Sequence, residues 1–163
     1  MSIPVITLIG KSGSGKTTLL EKLVVQLKTH PYRIATIKHH SHAGFDIDVP
    51  GKDSWRFAQA GSDHVIIASP DKIASYRKLE RELSLQEILA MVSGVDLILA
   101  EGYRQANLPT IEIVRAERYA ELTTDPARLV AIVSDVTFDL PVPQFALDDV
   151  AGVAALIERL FLN

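Results

Sequence analysis

The first patterned segment of the chain is a mainly apolar, largely β-branched run at positions 3–9, which Gly10 ends. Such a run is typical of a strand buried on both faces of a parallel sheet. Leucine and valine then recur at helical spacing and predict a helix over about 16–29. The chain therefore begins with a buried strand, a glycine-rich loop and an amphipathic helix.

Strand and helix patterns alternate along the rest of the chain. Strands are predicted at 33–38, 64–69, 72–78, 95–100, 110–115 and 129–134. Helices are predicted at 53–60, 84–92 and 148–161. The strand at 72–78 is expected to pair locally with the one before it. Alternation of this kind favours an α/β fold with a mainly parallel sheet and one peripheral antiparallel hairpin.

The loop after the first strand matches the pattern G-x-x-x-x-G-K-[ST], which occurs once. It consists of Gly10, Lys11, Ser12, Gly13, Ser14, Gly15, Lys16 and Thr17, with Thr18 next in the helix. The glycines let backbone N–H groups turn inward around a phosphate, and the helix N-terminus adds a favourable dipole. Lys16 can reach the β- and γ-phosphates, and the Thr17 hydroxyl can ligate Mg²⁺.

This loop predicts a nucleoside triphosphate site in a three-layer P-loop NTPase-like fold, formed by one domain over residues 1–163. Lys11 has two interpretations. A lysine at this position reaches the partner's nucleotide in a subset of dimeric P-loop ATPases, but a solvated lysine would only raise the local positive potential. We favour the second, because a single lysine carries little information.

Polar residues follow several of the predicted strands, and parallel strands would bring them to one edge of the sheet. Beyond the phosphate loop they are Lys38, His39, His40, Ser69, Glu101, Ser134 and Asp135. Glu101 ends an apolar strand of Walker B form, so we predict that it joins Lys16 in catalysis and Thr17 at the metal. Asp96 begins that strand, roughly 17 Å away, and is expected to pair structurally.

The loop after the second strand contains His39, His40 and His42, followed by Asp46 and Asp48. We predict that Asp46 completes the Mg²⁺ shell from a switch-like loop. A separate histidine metal site and a plain solvated loop are the alternatives.

Asp135 ends another strand. Its carboxylate can accept hydrogen bonds from N1–H and N2–H₂ of guanine, which adenine cannot supply. Ser-Asp is also a common turn, so both interpretations stay open.

Composition narrows the class of protein further. None of the 163 residues is cysteine, which excludes disulfides and thiolate metal sites. The net charge of −3 argues against nucleic acid, whose phosphates require a basic face. No apolar run approaches the ~20 residues of a membrane helix, and no secretion signal is recognisable. We expect a cytoplasmic protein without nucleic-acid or membrane partners.

With these residues assembled, the chain resembles the family of molybdopterin-guanine dinucleotide biosynthesis protein B. The resemblance rests on the phosphate loop with its T-T-L-L continuation, on Ile37-Lys38-His39-His40 with Asp46 and Asp48, on Pro50-Gly51-Lys52-Asp53-Ser54, on Ala58-x-Ala60-Gly61, on Asp96-Leu97-Ile98-Leu99-Ala100-Glu101-Gly102-Tyr103 and on Ser134-Asp135.

The resemblance implies a GTP-binding protein with weak Mg²⁺-dependent GTPase activity. It also implies assistance to the guanylyltransferase that joins GMP to molybdopterin in molybdenum cofactor biosynthesis. Members of the family look like homodimers whose sheets extend across the interface. Lys38 and His39 would then face phosphate or molybdopterin.

Two other functions are compatible with a phosphate loop. A small-molecule kinase would need a basic lid, for which Arg77, Lys78 and Arg81 are candidates. Their spacing fits a solvated junction between hairpin and helix better. A non-catalytic module would use nucleotide only to set its dimer state. The sequence offers no obvious arginine finger, which favours slow hydrolysis.

Overall fold

The computed structural model describes residues 2–40 and 44–162. The chain clusters into two compact units, one of Met1–His40 with Leu85–Asn163 and one of Ser41–Ser84. The prediction of a single domain over residues 1–163 stays a prediction, because compactness alone does not show whether either unit folds without the other.

The described residues form eight strands. They are β1 Val5–Ile9, β2 Ile34–Lys38, β3 His64–Ala68, β4 Ile73–Arg77, β5 Leu97–Glu101, β6 Thr110–Val114, β7 Leu129–Ser134 and β8 Gln144–Phe145. The α-helices of the same residues are α1 Lys16–Leu27, α2 Asp53–Gln59, α3 Leu85–Leu89 and α4 Val150–Ile157. A 3₁₀ turn covers Pro126–Arg128, and a π-helical turn, Glu158–Leu162, follows α4.

Six strands of the first unit form one sheet in the order β2-β5-β1-β6-β7-β8, and every pairing is parallel. The apolar runs explain this arrangement, because parallel strands are covered on both faces. Alternate residues of β1 and β5, such as Ile6, Leu8 and Leu99, point into one core that Leu23 of α1 and Val153 of α4 complete. The predicted α/β fold is confirmed.

The sheet brings the carboxyl ends of its strands to one edge. Lys38 at the end of β2 and Leu8 of β1 are both in register with Glu101 at the end of β5. At the opposite end of β5, Asp96 accepts hydrogen bonds from the backbone N–H of Arg33 at 2.8 Å and from its Nη2 at 2.9 Å. Asp96 therefore pairs structurally, as its distance from Glu101 predicted.

The second unit contains α2 and the antiparallel hairpin of β3 and β4. The expectation that Ser69 shares the edge of the parallel sheet was wrong, because β3 pairs with β4 instead. A strand closes onto its neighbour at low entropic cost when a short turn joins them. The Ser69 hydroxyl lies in that turn and donates to Asp71 Oδ1 at 2.6 Å.

All four predicted helices are shorter in the structure, α2 by only one residue. The first ends at Leu27, the third covers only Leu85–Leu89, and the last is α4 followed by its π-helical turn. The N-cap of α4 is Asp149, which accepts from Gly152 N at 2.9 Å, so the helix begins later than predicted. Within residues 2–40 and 44–162, no helix has the length and apolar character needed to cross a bilayer.

Candidate nucleotide site

The phosphate loop connects β1 to α1 and owes its shape to glycine. Gly15 caps the helix with φ 97°, a left-handed conformation that side chains disfavour. A Cβ at Gly10 would collide with the carbonyl oxygen of Ile113 on β6 and lie 2.6 Å from Ser14 Oγ. The loop is thus pressed against the neighbouring strand, where only glycine fits.

Lys16 lies over its own loop and donates from Nζ to the carbonyl oxygen of Lys11 at 2.9 Å. Partial burial lowers the pKa of Lys16 because it disfavours the ammonium form. Glu101 acts in the opposite direction, while Arg104 and Lys38 lower the pKa further. A bound phosphate would stabilise the ammonium that the site now disfavours.

Thr17 and Glu101 are brought together as the sequence predicted. Thr17 Oγ1 donates to Glu101 Oε2 at 2.9 Å, and Lys38 Nζ lies 3.6 Å from Glu101 Oε1. The described residues contain no group of three histidine, aspartate or glutamate side chains that could hold a metal. Mg²⁺ does not require one, because it is commonly bound by one or two protein oxygens, phosphates and water. The hydroxyl and carboxylate fit that donor set.

The other predicted metal ligands lie elsewhere. Asp46 belongs to the second unit, so its part in the Mg²⁺ shell stays a prediction. His42 lies outside the described residues. His39 follows β2, and its backbone N–H donates to Glu101 O at 2.9 Å. Its ring centroid is 4.7 Å from that of Tyr103, whose φ of 56° is unusual for a residue other than glycine.

Three arginines that sequence reasoning missed lie beside the phosphate loop. Arg104 Nη2 is 3.5 Å from Gly10 O. If Gly15 carried a Cβ atom, that atom would lie 3.7 Å from Arg115 Nη2. A Cβ atom on Gly13 would lie 3.2 Å from Arg118 Nε. Arg115 directly follows β6, so the rule that ligands gather at strand ends could have identified it. Arg104 and Arg118 lie in loops without such a signal.

A buried carboxylate orders the segment that carries Arg118. Glu112 on β6 is 1% exposed and accepts hydrogen bonds from Thr123 N, Thr123 Oγ1 and Thr124 N at 2.8, 2.6 and 2.9 Å. Lys11 Nζ lies 4.5 Å from the ring centroid of Tyr119 in the same segment. This cation–π contact gives Lys11 a local role, and contact with a partner's nucleotide stays an untested alternative.

Asp135 joins the loop after β7 to the segment after β6, and the neighbouring Ser134 forms a local turn. Asp135 Oδ1 accepts from Ala116 N at 2.8 Å, and Ser134 Oγ accepts from Val136 N at 2.9 Å. The turn interpretation therefore has direct support, and contact with guanine stays a prediction.

The basic residues considered for a kinase lid make local contacts within the second unit. Lys78 donates from its backbone N–H to Asp63 O at 2.9 Å, and Arg81 Nη1 donates to Glu82 O at 3.1 Å. Arg77 is the last residue of β4 and pairs with His64. These contacts fit the junction that the spacing of the residues predicted.

Comparison with known proteins decides the family. Residues 5–135 match the model of the family described as molybdopterin guanine dinucleotide synthesis protein B. The chain belongs to this family. Two curated relatives are named molybdopterin-guanine dinucleotide biosynthesis adapter protein. The one from Escherichia coli K12 is 36% identical over 95% of this chain and 91% of its own length. The one from Haemophilus influenzae is 34% identical over 96% and 89%.

Solved structures of the same family share the fold. A crystal structure of molybdopterin-guanine biosynthesis protein B superposes with a TM-score of 0.73 at 29% identity, covering 96% of this chain and 99% of the other. The crystal structure of Bacillus subtilis MobB, at 24% identity, gives 0.76 over 94% and 98% and supports the fold alone. The resemblance inferred from the sequence is confirmed.

The buried Glu112 generates a stability prediction. Glu112→Gln replaces a carboxylate that accepts three hydrogen bonds with an amide whose NH₂ group faces a donor. We expect the free energy of unfolding to fall by about 1–3 kcal/mol in urea titrations, because a buried donor loses its acceptor. Glu21→Gln, on the exposed side of α1, should change it by less than about 0.5 kcal/mol. Equal effects of the two substitutions would refute this role of Glu112.

Proposed function

We propose that the protein is a GTP-binding accessory protein of molybdopterin guanine dinucleotide biosynthesis, with slow Mg²⁺-dependent GTP hydrolysis. It would assist the guanylyltransferase that joins GMP to molybdopterin. The observation that carries the proposal is the hydrogen bond from Thr17 Oγ1 to Glu101 Oε2, which unites the phosphate loop with the acidic strand end. The adapter role comes from the names of the curated relatives.

The phosphates would be bound by the inner backbone N–H groups of the loop and by Lys16. The lowered pKa of Lys16 supports this assignment, because an anion would offset the cost of its burial. Arg104, whose Nη2 lies 3.5 Å from Gly10 O, would add a second cation to the phosphate site. Charge-assisted hydrogen bonds of this kind are stronger than neutral ones.

Thr17 and Glu101 would hold Mg²⁺, which offsets phosphate charge when bound. Glu101 also lies close to Lys38, so its carboxylate balances one cation of the site while it accepts from Thr17. The weak rate is what the family resemblance implies. Lys38 and His39, at the end of β2, are proposed to face phosphate or molybdopterin.

We further propose that the protein acts as a homodimer joined through its second unit. Most of the large apolar side chains exposed among the described residues belong to this unit, and they are Phe45, Ile47, Val49, Phe57, Ile66, Ile67, Ile73 and Leu79. On the hairpin, Ile66 and Ile73 share a face, whereas the buried Val65 points to the opposite one. A two-stranded hairpin has only marginal stability by itself, so burial of this face against a second copy would stabilise it.

The location in the cytoplasm and the lack of nucleic-acid and membrane partners stay predictions from composition.

Nucleotide binding is the first test. Calorimetry with Mg²⁺ should give tighter binding of GTP than of ATP. Lys16→Ala should weaken GTP binding at least about tenfold, because it removes a charge-assisted contact. Lys28→Ala is a matched control at the far end of α1, where Lys28 Nζ donates to Tyr32 O at 2.7 Å, and should bind normally. Equal affinity for both nucleotides, or none, would refute the GTP proposal.

The metal assignment has a separate test. Glu101→Gln should make GTP affinity nearly independent of Mg²⁺ and lower GTP turnover by about tenfold or more, because the carboxylate that holds the ion is lost. Titrations with and without EDTA, together with phosphate release, measure both effects. Glu21→Gln serves as the control. A Glu101→Gln protein with unchanged Mg²⁺ dependence would show that another group holds the ion.

Self-association is measured by sedimentation. The wild type should sediment as a dimer, and Ile66→Lys with Ile73→Lys should shift it towards monomer by placing two charges on the shared face. Met91→Lys, an equally exposed apolar position in the first unit, should leave the dimer intact. A monomeric wild type at micromolar concentration would contradict the proposed dimer.

A further inference from the structure

A cavity of about 210 Å³ adjoins the phosphate loop, and most of its lining residues lie outside the proposed phosphate and metal contacts. It lies within the first unit, between the start of α1 and the ends of β6, β7 and the segment before α4. The lining residues that matter below are Gly15, Thr18, Arg115, Val133, Leu147 and Asp148. We infer that this cavity holds the base of the bound nucleotide and that Asp148 selects guanine. The inference rests on the proposed function.

The cavity lies where the base of a nucleotide bound in the phosphate loop would extend. Ser14 and Gly15 line the cavity and also belong to the phosphate loop, so a nucleotide whose phosphates occupy the loop can extend its base into it. The volume is below the roughly 300–1,000 Å³ of pockets that take a whole drug-sized ligand. It suits the base of a nucleotide alone, with the sugar and phosphates of that nucleotide outside the cavity.

The walls have the chemistry that a base requires. Val133 and Leu147 line the cavity and both pack in the core of the first unit, so the cavity has apolar side chains in its walls for an aromatic ring. Thr18, Arg115 and Asp148 supply polar groups at the rim. Ligand sites commonly combine apolar walls with a few polar groups that fix orientation.

Asp148 is the carboxylate available for recognition. Within the described part of the chain, its side chain makes neither a hydrogen bond nor an ion pair. The neighbouring Asp149 is used as the cap of α4, where it accepts from Gly152 N. A carboxylate accepts two hydrogen bonds side by side, and guanine offers N1–H and N2–H₂ in that arrangement, whereas adenine has an acceptor at N1.

Asp148 therefore competes with Asp135, the residue that the sequence suggested. One oxygen of Asp135 already accepts from Ala116 N, a bond that joins the loop after β7 to the segment after β6. Asp148 lines the cavity, and its carboxylate is uncommitted. The two aspartates form a matched pair, because both are exposed and both lie in loops next to the sheet.

The experiment compares Asp148→Asn and Asp135→Asn in the full-length protein. Calorimetry with Mg²⁺ uses GTP, ATP, xanthosine triphosphate and inorganic tripolyphosphate. Asp148→Asn should lose roughly 5- to 150-fold in GTP affinity, the range of one bidentate pair. It should gain affinity for xanthosine triphosphate, because the new amide N–H₂ can donate to the C2 carbonyl of xanthine. Asp135→Asn should keep the preference for GTP.

A second variant tests the cavity itself. Leu147→Trp fills the space beside Asp148, so it should weaken GTP binding and leave tripolyphosphate binding unchanged. An equal loss for both ligands would refute a base site in the cavity, because filling a base site should not weaken the binding of tripolyphosphate.

The outcomes separate the two proposals. If tripolyphosphate and GTP bind but Asp148→Asn keeps its GTP preference, or if Asp135→Asn shows the switch to xanthine, the base-site inference is wrong and the proposed function stands. If the wild type binds no triphosphate of any kind, the proposed function is wrong and the inference falls with it. A gain for xanthosine triphosphate in Asp148→Asn alone would establish the inference, since loss of folding cannot create affinity.

Discussion

Parallel pairing of β1 with β5 and β6 is the constraint on which the rest of the site depends. It sets Leu8 in register with Glu101, and it places the loop after β1 against the backbone of β6. Parallel strands end at the same edge of a sheet, so groups distant in the chain meet there. Thr17 and Glu101 come within 2.9 Å in this way although 84 residues separate them.

This edge concentrates positive charge in a protein whose net charge is −3. Burial, followed by the charges of Arg104 and Lys38, disfavours the Lys16 ammonium, and Lys38 Nζ also lies 3.6 Å from Glu101 Oε1. Glu101 offsets part of that cost. The remaining imbalance favours an anionic ligand, since added negative charge would relieve it. The net charge of the protein is therefore negative, whereas the charge around Lys16 is positive. A ligand at this edge of the sheet meets the local positive charge.

The two units contrast in how they bury apolar surface. The first unit has a continuous core between its sheet and helices, and the proposed nucleotide site lies at the edge of that sheet. The second has a small hairpin packed against one short helix, and several of its apolar side chains are exposed. Too little sheet and helix is present in the second unit to cover those side chains, because a single hairpin has two faces and α2 is only seven residues long.

The sequence by itself determined the local chemistry. The apolar runs predicted the strands, the helical period predicted α1, and the spacing from Gly10 to Thr17 predicted the phosphate loop, because these signals depend on neighbours in the chain. Tertiary structure decided which distant groups share the site. Arg118 lies in a loop with no periodic pattern, and Asp148 begins the last helix that the sequence predicts. Only the folded sheet and its connections bring both residues beside the phosphate loop. For Ser69 the tertiary structure removed a residue that the sequence had placed at the site. Its strand has the same apolar pattern as the others, but it pairs with β4 through a short turn and is not part of the parallel sheet.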